Sequence, residues 1–456
     1  MNALEVRTAC SLALVFALRM LGLFMLLPVL AIYADQITGA TPALIGIAIG
    51  AYGISQSLLQ IPVGLLSDRI GRKPVILGGL LVFLLGSLLA GSSDSISALI
   101  AGRFLQGSGA IAAALTALLA DLTREEHRSK SMAMVGISIG GSFCLAMVLG
   151  PLLAESQGLS GVFHISALLA VLAMGLVLWM VPSPVRQKKN REAMTALSSL
   201  KLVLGHRQLL RLNAGVFILH FVLIALFVHL PVTLEDLAGL PRDEHWRVYL
   251  LAMVVSFLGM APFMAIGEKR RMIKTLVQGA ILLLLAAQTL VWLSGFYLAV
   301  DTHLAALVGS VLLFFVAFNY LEATLPSLIS RIAPAGCRGA AMGAFSTCQF
   351  LGAGLGGIIS GFIYQQMGGT GIFVLVVIAT ALWWLLSVTM INPPYVSSLV
   401  MDLHPVIPSE ACRINDGLTT VAGVREVALV VEEQTAYLKV DRQQLDEQHL
   451  RQFGDW

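Results

Sequence analysis

Charge is what this chain has least of. Only 12% of its 456 residues are Asp, Glu, Lys or Arg, against about 25% in an average soluble protein, and 57% are hydrophobic. A composition this apolar excludes a freely soluble monomeric globule. Cysteine is sparse as well. Cys10, Cys144, Cys337, Cys348 and Cys412 stand apart with no C-x-x-C pair, which argues against a disulfide framework and a thiolate metal site. No nucleophile–base pair and no glycine-rich nucleotide loop stands out, so neither an enzyme nor a cofactor is expected. A nucleic-acid partner is not expected either, because the net charge is only +3. The apolar stretch that follows Arg7 runs to about Tyr33, too long for a signal-peptide core and without a small-residue cleavage site. It reads as a retained first helix.

Long apolar runs are what the chain does have. Runs of about 20 apolar residues read as transmembrane helices, because in lipid each backbone polar group must be satisfied within its own segment. Twelve spans are expected, at roughly 8–33, 42–65, 74–93, 96–119, 131–153, 161–182, 209–231, 247–267, 273–296, 303–327, 338–362 and 371–391. They sort into a six-helix half (1–182), a polar connection (183–207), a second six-helix half (208–392) and a polar tail (393–456). With the N-terminus inside, the inner loops carry eighteen Lys and Arg, while the opposite loops carry only Arg242 and Arg247. Cytoplasmic loops retain positive charge, so a multi-pass protein of the cell inner membrane with both termini cytoplasmic is expected. Within the connection, Ala193, Leu197, Leu200 and Leu204 recur at helical spacing. They fit a short helix lying on the inner leaflet or a solvated basic linker. Weak echoes between the halves point to repeated bundles, an architecture of secondary transporters whose substrate site lies between the halves at the midplane.

The scarce charge is concentrated at residues 64–73, GLLSDRIGRK. Gly71 permits the tight reversal between the second and third spans. Arg69, Arg72 and Lys73 hold the loop inside and can meet anionic lipid heads. Asp68 is the odd member, since topology needs no acid. The eleventh span begins on the same side, and a helix N-terminus carries about half a positive charge. Its first turn, from Gly339 to Gly343, is small enough for close approach. Asp68 accepting hydrogen bonds there would latch the halves together; the alternative is a loop that only fixes topology.

GLLSDRIGRK fits the G-x-x-x-D-R-x-G-R-K signature of the major facilitator superfamily throughout, from Gly64 through Asp68, Arg69, Gly71, Arg72 and Lys73. A second pattern, R-x-x-Q-G-x-G on the fourth span, is present as Arg103, Gln106, Gly107 and Gly109. The antiporter-associated G-x-x-x-G-P-x-x-G-G of the fifth span is partial. Gly150 and Pro151 are there, but Ala146, Ala154 and Glu155 replace the other glycines. Over about residues 8–392 the chain resembles that superfamily. The resemblance implies an all-α fold of two six-helix halves. It also implies an inner gate in which Asp68 is joined by Arg72 and by Asp121 at the end of the fourth span, and a link between Arg103 and proton coupling.

A charge at mid-membrane costs about 2.5–3.5 kcal/mol on insertion scales and marks a functional site by default. Arg19, near the middle of the first span, is a candidate to meet an anionic group, or else it snorkels or pairs structurally. Glu322 on the tenth span can take up and give back a proton each cycle, or pair permanently with a base. His220, at the centre of the seventh, is a second proton carrier or a structural hydrogen-bonder. Arg103 has a structural alternative too, tying the fourth span to a neighbour. Tyr52, Gln56 and Gln60 recur every four residues as a stripe that lines a cavity or bonds between helices. Asn319 and Gln349 are further cavity candidates. Phe24, Phe217, Phe221, Phe315 and Phe345 are available as aromatic wall, which suits an amphipathic substrate.

After Pro393 and Pro394 the charge returns. Strands at 398–403, 424–432 and 435–440 and helices at 408–421 and 444–451 are expected, the β-α-β-β-α order of a small ferredoxin-like domain with its final strand missing. The tail resembles the cytoplasmic domain of a bacterial subgroup of the superfamily and, more distantly, heavy-metal-associated domains; with Cys412 alone, no metal is expected. Its role is regulation of the inner gate or a simple folded cap. The reading is a monomeric secondary-active transporter with a small-molecule substrate, protons and membrane lipids as partners, exporting its substrate against proton entry. A proton-coupled importer or uniporter, and a membrane sensor signalling through the tail, are the alternatives.

Overall fold

The computed structural model describes residues 3–34, 37–182, 200–297, 300–334, 337–393, 397–403, 410–431, 434–441 and 444–455. The first half contains α1 (Ala3–Phe24), α2 (Leu30–Tyr33), α3 (Pro42–Ile70), α4 (Arg72–Gly91), α5 (Ile96–Ser108), α6 (Ala112–Leu122) and α7 (Glu125–Trp179). The second contains α8 (Arg207–Asp236), α9 (His245–Lys269), α10 (Ile273–Tyr297), α11 (Val300–Ile332) and α12 (Arg338–Val388). Among the described residues ten helical stretches are long and apolar enough to cross a bilayer.

Two of those stretches are too long to be one crossing. α7 has 55 residues and α12 has 51, so they would run about 82 Å and about 76 Å if straight, against about 30 Å of hydrocarbon. Each is a pair of helices joined at one glycine: Gly158 (φ 68°, ψ −175°) and Gly368 (φ 62°, ψ −158°). Those angles belong to a region open essentially to glycine alone, so the helix breaks there without a loop. Two other expected spans are broken. The first ends at Phe24 and resumes as α2 beyond Pro28, which cannot donate to a helix ladder. The fourth is interrupted between Ser108 and Ala112.

Among the described residues, the close backbone contacts between the halves gather at one end. There α3 and the first limb of α12 meet backbone to backbone. A Cβ on Gly46 would lie 2.5 Å from the Gly357 carbonyl oxygen, and one on Gly53 would lie 2.6 Å from that of Phe350. A shared apolar core continues the seal, with the Phe143 ring of α7 5.1 Å from Phe24 of α1 and 6.1 Å and 6.3 Å from Phe315 and Phe318 of α11. Beyond it, a separate core around Leu12, Phe16, Phe83, Leu115 and Leu118 is built almost wholly from the first half. At that opposite end Cβ atoms on Gly339 and Gly343 would meet nothing within 4 Å, and the last turn of α3 is exposed. The space between the halves opens there.

Of the connection, 183–199, with Ala193 and Leu197, lies outside the described residues. Residues 200–205 are helical, Val203 is in the core and Leu200 packs against it, while Leu204 is exposed. The tail comprises β1 (Ser397–Leu403), α13 (Ala411–Thr420), β2 (Val424–Val430), β3 (Thr435–Val440), α14 (Glu447–Leu450) and β4 (Gly454–Asp455). The sheet order is β2-β3-β1-β4 with antiparallel neighbours. The expectation of a missing last strand is therefore corrected: Gly454 pairs with Leu403 and Asp455 with Asp402. Two residues are too few to show alternation in sequence. Leu399, Met401, Leu418, Ala436, Leu438 and Leu450 form the small core.

Candidate functional site

Three clusters of polar side chains hold the candidate residues, two within the halves and one at the end where α12 begins. The first is in the first half. Arg19 of α1 is fully buried, and its Nη2 donates to Gln56 Oε1 and to the Gly109 carbonyl oxygen, both at 2.8 Å. That carbonyl lies in the break between α5 and α6, where the helical ladder is interrupted. Gln56 passes the chain on, its Nε2 donating to Gln60 Oε1 at 3.0 Å. Arg19 Nε and Nη1 are buried without a partner. Arg103 of α5 is also buried. It donates from Nη1 to Gln106 Oε1 (2.8 Å) and from Nε to the Ala48 carbonyl (3.3 Å), and its guanidinium lies 5.1 Å from the centre of the Tyr52 ring. Gln106 donates in turn to Ser87 Oγ at 2.7 Å. Tyr52, Gln56 and Gln60 are thus buried between helices in this conformation.

The second cluster joins α8, α11 and α12 in the second half. His220 Nδ1 lies 3.1 Å from the Val216 carbonyl oxygen, which can only accept, so Nδ1 carries a proton. Its Nε2 lies 2.8 Å from Gln349 Nε2, and the same amide nitrogen donates to Glu322 Oε1 at 3.1 Å. Glu322 Oε2 is 3.5 Å from His220 Nε2. One amide thus bridges an imidazole and a carboxylate. With His220 neutral, Nε2 accepts from Gln349; with it protonated, Nε2–H faces Glu322. The ring packs edge-on to Phe318 at 5.9 Å, one helical turn before Glu322. Asn319 is used differently: its Nδ2 donates to Ser256 Oγ at 2.7 Å, tying α11 to α9.

The third cluster is the 64–73 loop at the open end. Gly71 has φ 106°, which requires glycine. A Cβ on Gly64 would touch Ala113 at 3.3 Å. Arg72 contacts Asp68 closely, donates from Nε to Asp121 Oδ2 at 3.2 Å and from Nη1 to Ser67 Oγ at 2.7 Å. Lys73 Nζ donates to the Val181 carbonyl at 2.6 Å, and Arg69 is exposed. Asp68, Arg72 and Asp121 are brought together, while the turn at Gly339–Gly343 stands open. A related pair in the second half has its signs exchanged: Arg331 at the end of α11 donates to Glu268 at the end of α9, Nη1 to Oε2 at 3.3 Å.

Sequence reasoning missed the contacts at the closed end. Gly46, Gly50 and Gly53 face Gly354, Gly357 and Gly361, a small-residue stripe legible in GIAIGAYG and GAGLGG. It also passed over the partners of Arg242. That side chain donates to both oxygens of Glu235 (2.9 and 2.8 Å). It reaches across the halves to the Ile32 carbonyl (3.4 Å), with its guanidinium 5.6 Å from the centre of the Tyr33 ring. Of the expected aromatic wall, Phe24 and Phe315 belong to the seal around Phe143, Phe221 and Phe345 are buried, and Phe217 stacks on Phe221 at 6.2 Å.

The sequence profile of the Major Facilitator Superfamily matches residues 12–357. The chain is similar to the inner membrane transport protein YajR of Escherichia coli (strain K12), with 46% identity over 438 residues, covering 96% of this chain and 94% of that protein. It is more distantly similar to the multidrug resistance protein MdtH of Yersinia enterocolitica, with 26% identity covering 76% and 84%. In fold it resembles the crystal structure of a bacterial homologue of the human lysosomal transporter Spinster, with a TM-score of 0.68 and 14% identity, covering 86% and 98%.

Proposed function

The chain belongs to the major facilitator superfamily, and from that premise we propose that it exports a small molecule across the cell inner membrane in exchange for protons. Twelve crossings follow if α7 and α12 each fold back at their glycine, with the positive loops and both termini on the cytoplasmic side. The tail then hangs in the cytoplasm, and its strand order fits a ferredoxin-like domain. In this orientation the open end faces the cytoplasm.

The observation that carries the proton coupling is the bridge from Gln349 to both His220 and Glu322. A carboxylate and an imidazole that share one amide can hold one proton between them and pass it on as the halves rock. Similarity to a multidrug resistance protein supports the outward direction. The cycle alternates 8–182 against 208–392. When the cytoplasmic end closes, Asp68 would exchange part of its contact with Arg72 for the N–H groups at 339–343, whose helix end favours an anion.

Everted membrane vesicles carrying the protein test this. A panel of amphipathic compounds added to vesicles with an acidic interior should include one that dissipates the pH gradient, and Glu322→Gln should abolish the effect. A gradient indifferent to every transported compound would leave a uniporter, and dissipation only when substrate moves along with the protons would make the protein a symporter.

A further inference from the structure

A cleft of about 290 Å³ between the tail sheet and the second half gathers charge for which transport has no use. Its polar lining comprises His206 and Gln208 at the start of α8, Arg331 at the end of α11, Asn392 beyond α12, and Arg425, Glu426 and Lys439 from β2 and β3. Three permanent cations thus face one carboxylate. That carboxylate is taken: Glu426 pairs with Lys439 at 2.8 Å, and Lys439 is itself buried. Arg331 has its acid outside the lining, on Glu268. Arg425 bonds a neutral amide, Nη2 donating to Gln444 Oε1 at 3.1 Å. His206 accepts at Nδ1 from the Leu209 N–H, which leaves Nε2–H as its donor when the ring is neutral. The lining is therefore rich in donors and carries surplus positive charge.

We infer that this cleft binds a phosphate-bearing anion that clamps the tail to the second half. Guanidinium forks match phosphate oxygens two at a time, and an ammonium adds a point charge. The walls come from both bodies, so an occupant bonds the tail and the bundle at once, reinforcing the ion pair between Arg271 Nη2 and Asp441 Oδ2 at 3.5 Å. Arg331 lies nine residues beyond Glu322 on α11, about 14 Å along the helix axis. Occupancy thus acts on the helix that bears the proton pair. The phosphate is either the headgroup of an anionic lipid or part of a soluble metabolite, because the cleft sits where the bundle meets the cytoplasm.

Binding to the purified full-length protein tests this without any transport measurement, so its outcome is independent of the proposed export. Inorganic pyrophosphate is titrated in neutral detergent at fixed ionic strength, with thermal unfolding as readout. In parallel, nanodiscs of phosphatidylcholine are compared with nanodiscs containing phosphatidylglycerol. Arg425→Gln is the variant, since it removes a cation without stranding an acid. A saturable rise in unfolding temperature with pyrophosphate that Arg425→Gln weakens about tenfold supports the site with a soluble ligand. The same rise with phosphatidylglycerol alone, lost in Arg425→Gln, supports it with a lipid headgroup. No rise in either arm, or a rise that Arg425→Gln leaves unchanged, overturns it.

Discussion

Replacing Gly50 by alanine asks whether backbone contact holds the closed end. A Cβ there would lie 2.3 Å from the Gly354 carbonyl oxygen and 2.8 Å from Ile358 Cγ1. The isoleucine can rotate, but the carbonyl belongs to the facing helix and cannot. α3 and α12 must therefore part by about 1 Å to restore ordinary contact. The neighbouring approaches at Gly46 and Gly53 loosen with it. Overpacking of this kind costs about 1–3 kcal/mol, and here the cost falls only on the conformation in which these helices touch. The equilibrium should move toward the state open at the other face by about 5- to 150-fold. Spin labels at Ser92 and Gln366 report the closed end, and labels at Lys130 and Lys269 the open one. Pulsed electron-resonance distances should lengthen for the first pair and shorten for the second. Folded Gly50→Ala protein with both distributions unchanged would refute the reasoning.

Arg242→Ala removes a cross-half hydrogen bond and a cation over Tyr33, together worth about 0.5–2 kcal/mol. The same distances should shift in the same direction, less than in Gly50→Ala, and adding Tyr33→Leu should change little further. Asp68→Asn should insert normally and lose transport, with the cytoplasmic-open state gaining by about 0.3–2 kcal/mol; full activity would leave the acid a topological role only. His220→Gln should keep substrate binding, read by counterflow, and lose substrate-driven dissipation of the pH gradient in everted vesicles.

Much of the fold is legible because lipid leaves so few solutions. Apolar length fixes the helices, and the Lys and Arg bias marks one face. What sequence could not give is where helices stop being straight. Gly158 and Gly368 look like any other membrane glycine, yet both take a conformation closed to other residues, as Gly71 does at its turn. In the 64–73 cluster, Asp68 stood out among the bases of its own loop, whereas its grouping with Arg72 and Asp121 was implied by the family resemblance. The His220–Glu322 pair was half legible. His220 and Glu322 stood out by depth, but that Gln349 bridges them depends on how three helices face one another, which no local pattern records. Asn319 shows the limit from the other side: a polar residue three positions before Glu322 turns away to Ser256.

The buried arginines show why the fourth-span motif holds its residues together. An ion buried without a counter-charge costs several kcal/mol unless dipoles surround it. For Arg19 those dipoles are Gln56 and the carbonyl of Gly109; for Arg103 they are Gln106, the Ala48 carbonyl and the face of Tyr52. All depend on α5 lying hard against α3. Gly107 permits this, because a Cβ there would fall 2.1 Å from Ser55 Oγ and 2.2 Å from the Tyr52 carbonyl. The break beginning at Gly109 then turns its carbonyl to accept from both the Ile111 N–H and Arg19. Arg, Gln and the two glycines of R-x-x-Q-G-x-G thus form one device that keeps two cations in the bundle without an acid. The carboxylate of Glu322 lies in the second half, where Gln349 joins it to His220.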